Sequence, residues 1–487
     1  MKPTWSQAIE TEMHFASIIQ RQAEHGWLVD AGRIKELLVI LDKDMSKLEA
    51  EVEPQLPSCK LGKTELNKAT PPMKQFLKDG APSSYSESFF DKVERSESGW
   101  IGYKELHGMT LHIPLPTDGL YDEDGKLIKR YPLIDTRPML LKDNAHIKQY
   151  LVDHGWRPTW YNEDKDGNKT SPKVKKDGVL CPNLDKLENP IAKSVVKYFS
   201  MRHRKGMLEG FLRIIRPDGR IPSECDTVGT ATFRVAHRKI ANLPNSETYF
   251  GTEIRSCFIA PYGTALVSTD SDSCQMRMLA HYLIAVGESL DHPYIQAILY
   301  GTKEGNDDAH CIARDLAGLS SRSEGKTLNY GLLFGQGDRS LAEKLNVSFA
   351  KVKQIKATFF SNVPALPRLL RELKSIWERK GSFIGLDGRP VACDSEHKLL
   401  NYLLQSAESI YMKVVVCYID SAIRRKEIDA EQVCFYHDEV THEVKTPYIR
   451  DVVTIQEDSM GKAGRWLKIN VPMTGTAQVG SSWAEVH

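Results

Sequence analysis

Two runs of strand-forming residues, Gln432-Val433-Cys434-Phe435-Tyr436 and Val440-Thr441-His442-Glu443-Val444, are separated only by His437-Asp438-Glu439. So short a link commits them to an antiparallel hairpin, because parallel strands need a crossover of a dozen residues or more. The chain must therefore build an antiparallel sheet with acids at a hairpin tip. Asp near a tight turn is ordinary turn chemistry. His, Asp and Glu together are less ordinary, since neighbouring carboxylates raise each other's pKa unless solvent or a cation relieves them.

A third run, Ala265-Leu266-Val267-Ser268-Thr269-Asp270, predicts a buried strand ending in an acid, with a helical stretch following to about Ala285. A strand holds such a carboxylate rigidly and the chain break exposes it, which suits metal binding. Asp272, with Gln275 three residues on, resembles a capping box for the helix. A divalent metal shared by Asp270 and Asp438 would relieve the crowded acids. It would also supply both halves of a two-metal phosphoryl-transfer site, with ions ~3.5–4 Å apart.

Arg322, Lys326, Tyr330 and Phe334 recur every four residues. On a helix each such step turns about 400°, so the four form one gently drifting stripe about 18 Å long. Two cations lie at one end and two aromatics at the other, the layout of a nucleoside triphosphate. Arg and Lys suit the phosphates and Tyr330 suits the base or sugar. An amphipathic helix beside a core gives the same spacing, but Gly331 and Gly335 weaken a helix and would make room for a planar ligand. His310, after Asp307-Asp308, could donate to the same phosphates, although a lone histidine is more often structural.

The remaining chain is less eloquent. Residues 5–25 and 32–53 read as helices, with Ile34, Leu37, Leu38, Ile40, Leu41 and Leu48 at near-helical spacing. From about 55 to 140 repeated prolines and a serine-rich stretch predict an irregular insertion. Asn144 to Gly155 reads as a short helix, 162–177 as a turn region, and 190–216 as a long basic helix whose charges form a solvated face. Lys plus Arg (65) and Asp plus Glu (64) cancel, so overall charge says nothing about a nucleic-acid partner. Nine cysteines without a CxxC pair suggest neither disulfides nor zinc. No run approaches the ~20 apolar residues of a membrane span, and a cytoplasmic location is expected.

At this point the residues resemble the A-family DNA polymerases. Asp270 to His281 is similar to their first polymerase motif, Arg322-x3-Lys326-x3-Tyr330-Gly331 to the second and His437-Asp438-Glu439 to the third, in the family's order. Thr232-Phe233-Arg234, Asn242-Leu243, Gly385-Leu386-Asp387-Gly388-Arg389 and Leu400-Asn401-x3-Gln405 agree, the last two most with short-tailed-phage replicative polymerases. The resemblance implies an α+β right-hand fold with an antiparallel palm sheet, helical fingers and a helical thumb. It assigns 1–220 to the thumb with its insertion, 221–300 and 386–487 to the palm, and 301–385 to the fingers. It implies that Asp270, Asp438 and the Ser271 carbonyl hold two Mg²⁺ ions, with Mn²⁺ as a substitute. Arg322, Lys326, His310 and Tyr330 would bind the incoming nucleotide, Lys326 also serving catalysis, and Glu439 would be a further catalytic acid. Arg234, Gln405, His437, Asn242 and Arg277 would face primer–template DNA. The source implied is a phage or mobile element, and the enzyme a monomeric subunit acting in the host cytoplasm.

Departures from the family pattern carry their own expectations. Gln275 stands where the family has a Glu that excludes ribonucleotides, so the steric gate is expected to survive without its charge. Phe233 replaces a glycine beside Arg234. Tyr330 resembles members that accept dideoxynucleotides. The resemblance begins at the thumb, so a separate polypeptide supplies proofreading or the enzyme lacks it, and the 55–140 insertion sits where a phage relative docks a processivity factor. A single-subunit RNA polymerase shares the palm and the stripe but needs a small residue at position 275. An inactive clamp for primer–template junctions would not need intact Asp270, Asp438, Arg322 and Lys326.

Overall fold

The hairpin forms, and two further strands complete its sheet. The computed structural model describes residues 3–68, 81–96, 99–106, 109–115, 136–176, 179–240 and 243–486. The chain divides into two compact units, one of Met1–Glu36 with Leu208–His487 and the other of Leu37–Met207.

In the larger unit, helix α1 (Trp5–His25) opens on a capping box at Thr4 and Gln7. The sheet comprises β1 (Thr264–Ser271), β2 (Ala430–Tyr436), β3 (Glu439–Lys445) and β4 (Gly475–Gly480), all antiparallel in the order β2-β3-β1-β4. β1 is central, and its side chains are buried continuously from Leu266 to Thr269 before Asp270 emerges into solvent. Helix α2 (Cys274–Ala285) follows it. One face of the sheet is sealed by helix α6 (Ile449–Trp466), whose buried Gln456 donates to the Val267 carbonyl at 3.1 Å and accepts from Thr269 at 2.6 Å. Helix α5 (Leu399–Arg425) is buried over most of its length, the polar Ser406, Glu408, Ser409 and Lys413 included.

The first 36 residues, expected in the thumb, pack in this unit instead. Phe15 of α1 meets Phe435 of β2 edge-on at 5.2 Å. Glu12 accepts from Lys413 of α5 at 2.8 Å and from Arg389 at 2.5 Å, and Arg389 also binds Asp387 at 2.5 Å. The Gly385–Arg389 segment is thus the loop that clasps α1. Between α2 and α5 lies a helical cluster that includes α3 (Ala309–Ala317) and α4 (Arg322–Leu333). Ser321 and Glu324 cap the start of α4 reciprocally.

In the smaller unit the region read as an irregular insertion contains an antiparallel meander, Lys92–Ser96, Gly99–Leu106 and Met109–Leu115. Residues 69–80 and 116–135 of that region lie outside the described residues. The 162–177 stretch is largely a two-stranded ladder, Tyr161–Glu163 with Lys169–Pro172, closed by a turn in which Asp164 accepts from Asp166 and Asn168.

Candidate active site

The two strand-tip acids meet. The Ser271 amide donates to the Asp438 carbonyl at 3.0 Å, locking the end of β1 to the hairpin tip. His437 takes φ 61°, a left-handed backbone at the first of the two loop positions, as a tight hairpin requires. Asp270 is exposed and Asp438 half-buried. Burial, then the charges of Asp270 and buried Glu408, push the Asp438 carboxyl well above the usual carboxylate range. Glu408 is answered by Arg234, whose Nη2 donates to it at 2.5 Å. Burial and Arg234 lower the His437 imidazole to about 4, so it is neutral at pH 7.

Three expectations need correction here. Glu439 is not part of the tip but the first residue of β3, 3% exposed, directly opposite Asp270. Its Oε1 accepts from Ser268 at 2.6 Å, Thr441 at 3.1 Å and the Trp483 indole at 3.0 Å. That places it in the scaffold of the sheet rather than among reacting groups. Arg277, expected to face DNA, is 6% exposed and donates to the carbonyls of Pro472 at 2.6 Å and Leu299 at 3.1 Å, so it pins α2 in place. Asp272 is no cap. Ser273 holds that position with φ 48° and no side-chain bond, while Asp272 accepts from Thr474 at 2.6 Å.

Among the described residues no group of three or more His, Cys, Asp or Glu side chains is arranged to enclose a metal. The pair Asp270 and Asp438 still fits Mg²⁺, which keeps several waters and binds through one or two carboxylates plus substrate phosphates. The upward push on Asp438 is the observation that fits, because a cation beside it removes the repulsion. Ser271 lies next to Asp270 in β1, opposite Gly475.

The cationic stripe lies along α4 as the spacing predicts. Lys326 is exposed, its Nζ 5.9 Å from the Tyr330 ring centre, and Tyr330 stacks on Phe334 at 5.8 Å. Arg322 is engaged by Asp308, the N-cap of α3. Burial raises the Asp308 carboxyl, but the bonds from Arg322 and Cys311 together with the Arg322 charge outweigh it and hold it at about 2. The glycines do not make room for a ligand. A Cβ at Gly331 would meet Leu341 at 3.0 Å, and one at Gly335, with φ 63°, would strike the His397 carbonyl at 1.7 Å.

His310 sits on a buried relay. Tyr294 donates to Asn329 Oδ1 at 2.7 Å, and Asn329 Nδ2 donates to the Ala309 carbonyl and to His310 Nδ1, each at 3.0 Å. With Nδ1 accepting, the proton belongs on Nε2, and burial lowers the pKa so that the ring is a neutral donor. Sequence reasoning missed Asn329 and Tyr294. A buried Asn three residues after Lys326 in an otherwise apolar helix face was the available signal.

Of the residues expected near DNA, Gln405 and His437 lie close to the Thr232–Arg234 segment. Thr232 donates to Gln405 at 3.4 Å and Ser409 to the Phe233 carbonyl at 2.7 Å. Phe233 takes φ 62°, a left-handed backbone that favours glycine, and its ring lies under Arg389 at 4.8 Å. Asn242 lies outside the described residues.

The sequence profile of DNA polymerase family A matches residues 131–485. The chain belongs to DNA polymerase family A. It is 22% identical to the DNA-directed DNA polymerase of Escherichia phage Phieco32 over 98% of both chains. Against the DNA-directed DNA polymerase of Escherichia phage T7 it is 27% identical over 70% of this chain and 52% of that one, so it spans about half of that relative's length. The polymerase domain of Pol1 from M. smegmatis, solved with DNA primer-template and dNTP, shares the fold at TM-score 0.66 and 17% identity, covering 97% of this chain and 70% of that one. The family A fold is the α+β right hand, and the sheet bearing Asp270 and Asp438 is its antiparallel element. Glu408, behind Asp438, is a further buried acid that no motif in the sequence announced.

Proposed function

We propose that this chain is a DNA-templated DNA polymerase that extends a primer from deoxynucleoside triphosphates. The meeting of Asp270 and Asp438, from segments far apart in sequence, carries the reading. In it β1–β4 form the palm, α3 and α4 belong to the fingers, and the smaller unit supplies the thumb. Asp270 and Asp438, with the Ser271 carbonyl, would hold two Mg²⁺ ions, which supply Lewis-acid charge to the attacking and leaving oxygens when bound. Mn²⁺ is the substitute.

The chain's own groups do the rest. Lys326 and Arg322 bind the triphosphate and stabilise charge as the phosphoryl group transfers; Arg322 must exchange Asp308 for phosphate to do so. His310 presents Nε2–H to the same phosphates. Tyr330 covers base or sugar, and Gln275, half-buried on the first turn of α2, crowds the 2′ position. Arg234, Gln405, His437 and Asn242 face the primer end and minor groove.

Primer extension with Mg²⁺ tests the reading, run beside Asp438→Asn. Activity in the parent and its loss in the variant supports it, while equal extension by both removes Asp438 from the chemistry. Deoxynucleotides are expected to be used well above ribonucleotides, and dideoxynucleotides to terminate synthesis. A phage replisome in the host cytoplasm is the proposed setting. Among the described residues no helix is long and apolar enough to cross a membrane.

A further inference from the structure

In the smaller unit a cavity of about 470 Å³ opens between helix Asn144–Asp153, helix Pro190–Ile214 and the segment around Lys173-Val174-Lys175. Lys148, Lys173, Lys175, Arg202 and His203 line it, and among the described residues no carboxylate does. The charges of 190–216, expected to be a solvated face, are therefore partly turned inward.

Lys175 is the decisive group. Its Nζ is out of contact with solvent and, among the described residues, has no hydrogen-bond partner. Lys413, the most buried lysine among the described residues, shows the contrast: it binds both Glu12 oxygens, at 2.8 and 2.9 Å. Arg202 donates to the neutral Asn144 Oδ1 at 2.6 Å and lies over the Phe199 ring at 5.1 Å. His203 Nδ1 faces the Arg204 guanidinium at 3.0 Å, an arrangement in which Nδ1 accepts and Nε2–H is left as a donor. Burial, then Arg204, lowers the Lys175 ammonium to about 8, and burial, then Lys175 and Arg204, lowers His203 to about 4. An ammonium without partner or water is costly, and native proteins satisfy such groups. An anion completes this site. Phosphate is the natural one, because guanidinium and ammonium donors converge on its several oxygens. The volume lies within the range of small-ligand pockets, above ~300 Å³, and exceeds what a bare phosphate fills.

We propose that this cavity binds the phosphate of a nucleotide, free or within a single strand. The assignment does not depend on the polymerase reading.

Pyridoxal 5′-phosphate, a phosphate-bearing aldehyde, tests it on the full chain. Its imine with an amine is fixed by borohydride and located by peptide mapping, which reads Lys326 on a separate peptide. Lys175 is expected to be labelled by pyridoxal 5′-phosphate and roughly tenfold less by pyridoxal, which lacks the phosphate. Lys148→Met with Arg202→Gln should lower that labelling to the pyridoxal level, with circular dichroism verifying the fold. Protection by dAMP but not by deoxyadenosine supports a free nucleotide as ligand. Protection by oligothymidylate alone supports a strand phosphate. The proposal is overturned if Lys175 stays unlabelled, if pyridoxal labels it equally, or if neither ligand protects it.

Discussion

The acid tip of the larger unit and the basic cavity of the smaller one are like-charge clusters of opposite sign, and they are assembled differently. Asp270 lies at the end of a paired strand and Asp438 in the two-residue loop of the hairpin, tied to that strand by the Ser271 amide, and Asp270 keeps water contact. Lys175 and Arg202 come from a short strand and a helix face, and the Lys175 ammonium is shut off from solvent. The acid tip can exist without a ligand because solvent reaches part of it. In the cavity the whole cost of bringing like charges together falls on the fold.

The sharpest way to break the comparison is at the acid tip. Asp438→Asn removes one charge from the cluster and is expected to lower the extension rate by roughly a thousandfold, measured by single-turnover primer extension. The same change should raise thermal stability, since the folded protein disfavours the Asp438 carboxylate. A less stable variant would mean that the repulsion is already relieved.

The nucleotide end offers a case between the two, a histidine placed by neutral partners. Asn329→Ala should raise the KM for nucleotide by roughly tenfold, the worth of about one buried hydrogen bond. Asn329→Asp should be worse, because an acceptor there draws the proton to Nδ1 and leaves Nε2 bare. Equal KM in parent and both variants would remove the relay from nucleotide binding.

At the cavity, Lys175→Met should leave extension unchanged and stabilise the fold by about 1–3 kcal/mol at pH 7, the scale of an unsatisfied buried donor. The sign follows from the direction of the shift. The folded-state value of about 8 lies below the ordinary 10.5, so the charged form is penalised in the fold. The penalty is complete below pH 8 and fades between 8 and 10.5. Urea melts should therefore show the variant's advantage at pH 7 vanish by pH 10.5; an advantage that persists would indicate packing rather than charge.

The smallest effect separates backbone strain from charge. Phe233→Gly trades a left-handed phenylalanine, costing about 1–2 kcal/mol, against a ring–Arg389 contact of about 0.5–1 kcal/mol and greater unfolded-state freedom. It should come out within about 1 kcal/mol of the parent. Phe233→Ala keeps most of the strain and loses the ring, so it should be the less stable of the two by chemical denaturation.

These contrasts also explain what could be read in the sequence. The hairpin and β1 were legible because alternation, apolar runs and short turns are local signals. β4 was not, since Gly475-Thr-Ala-Gln-Val-Gly480 has glycines at both ends and one large apolar residue, and only pairing with β1 makes it a strand. Glu439 and Arg277 were named for their neighbours in a motif, yet side-chain direction and depth, which no spacing encodes, put them in the scaffold. Gly331 and Gly335 signalled a close approach correctly, but the thing approaching is protein. The cavity had no signature, because its cations come from separate elements brought together only by folding.

The clasp of α1 has a consequence for how the molecule is made. Glu12 and Gln22 find partners in Arg389, Lys413 and Gln432, between 377 and 410 positions later. On a ribosome the first helix emerges long before any of them exists. Its apolar face, Phe15 and Ile18 among it, must wait through most of synthesis, open to chaperones and to mispairing. The larger unit closes only when the last fifth of the polypeptide has left the exit tunnel, so premature termination anywhere upstream leaves this helix without its bed.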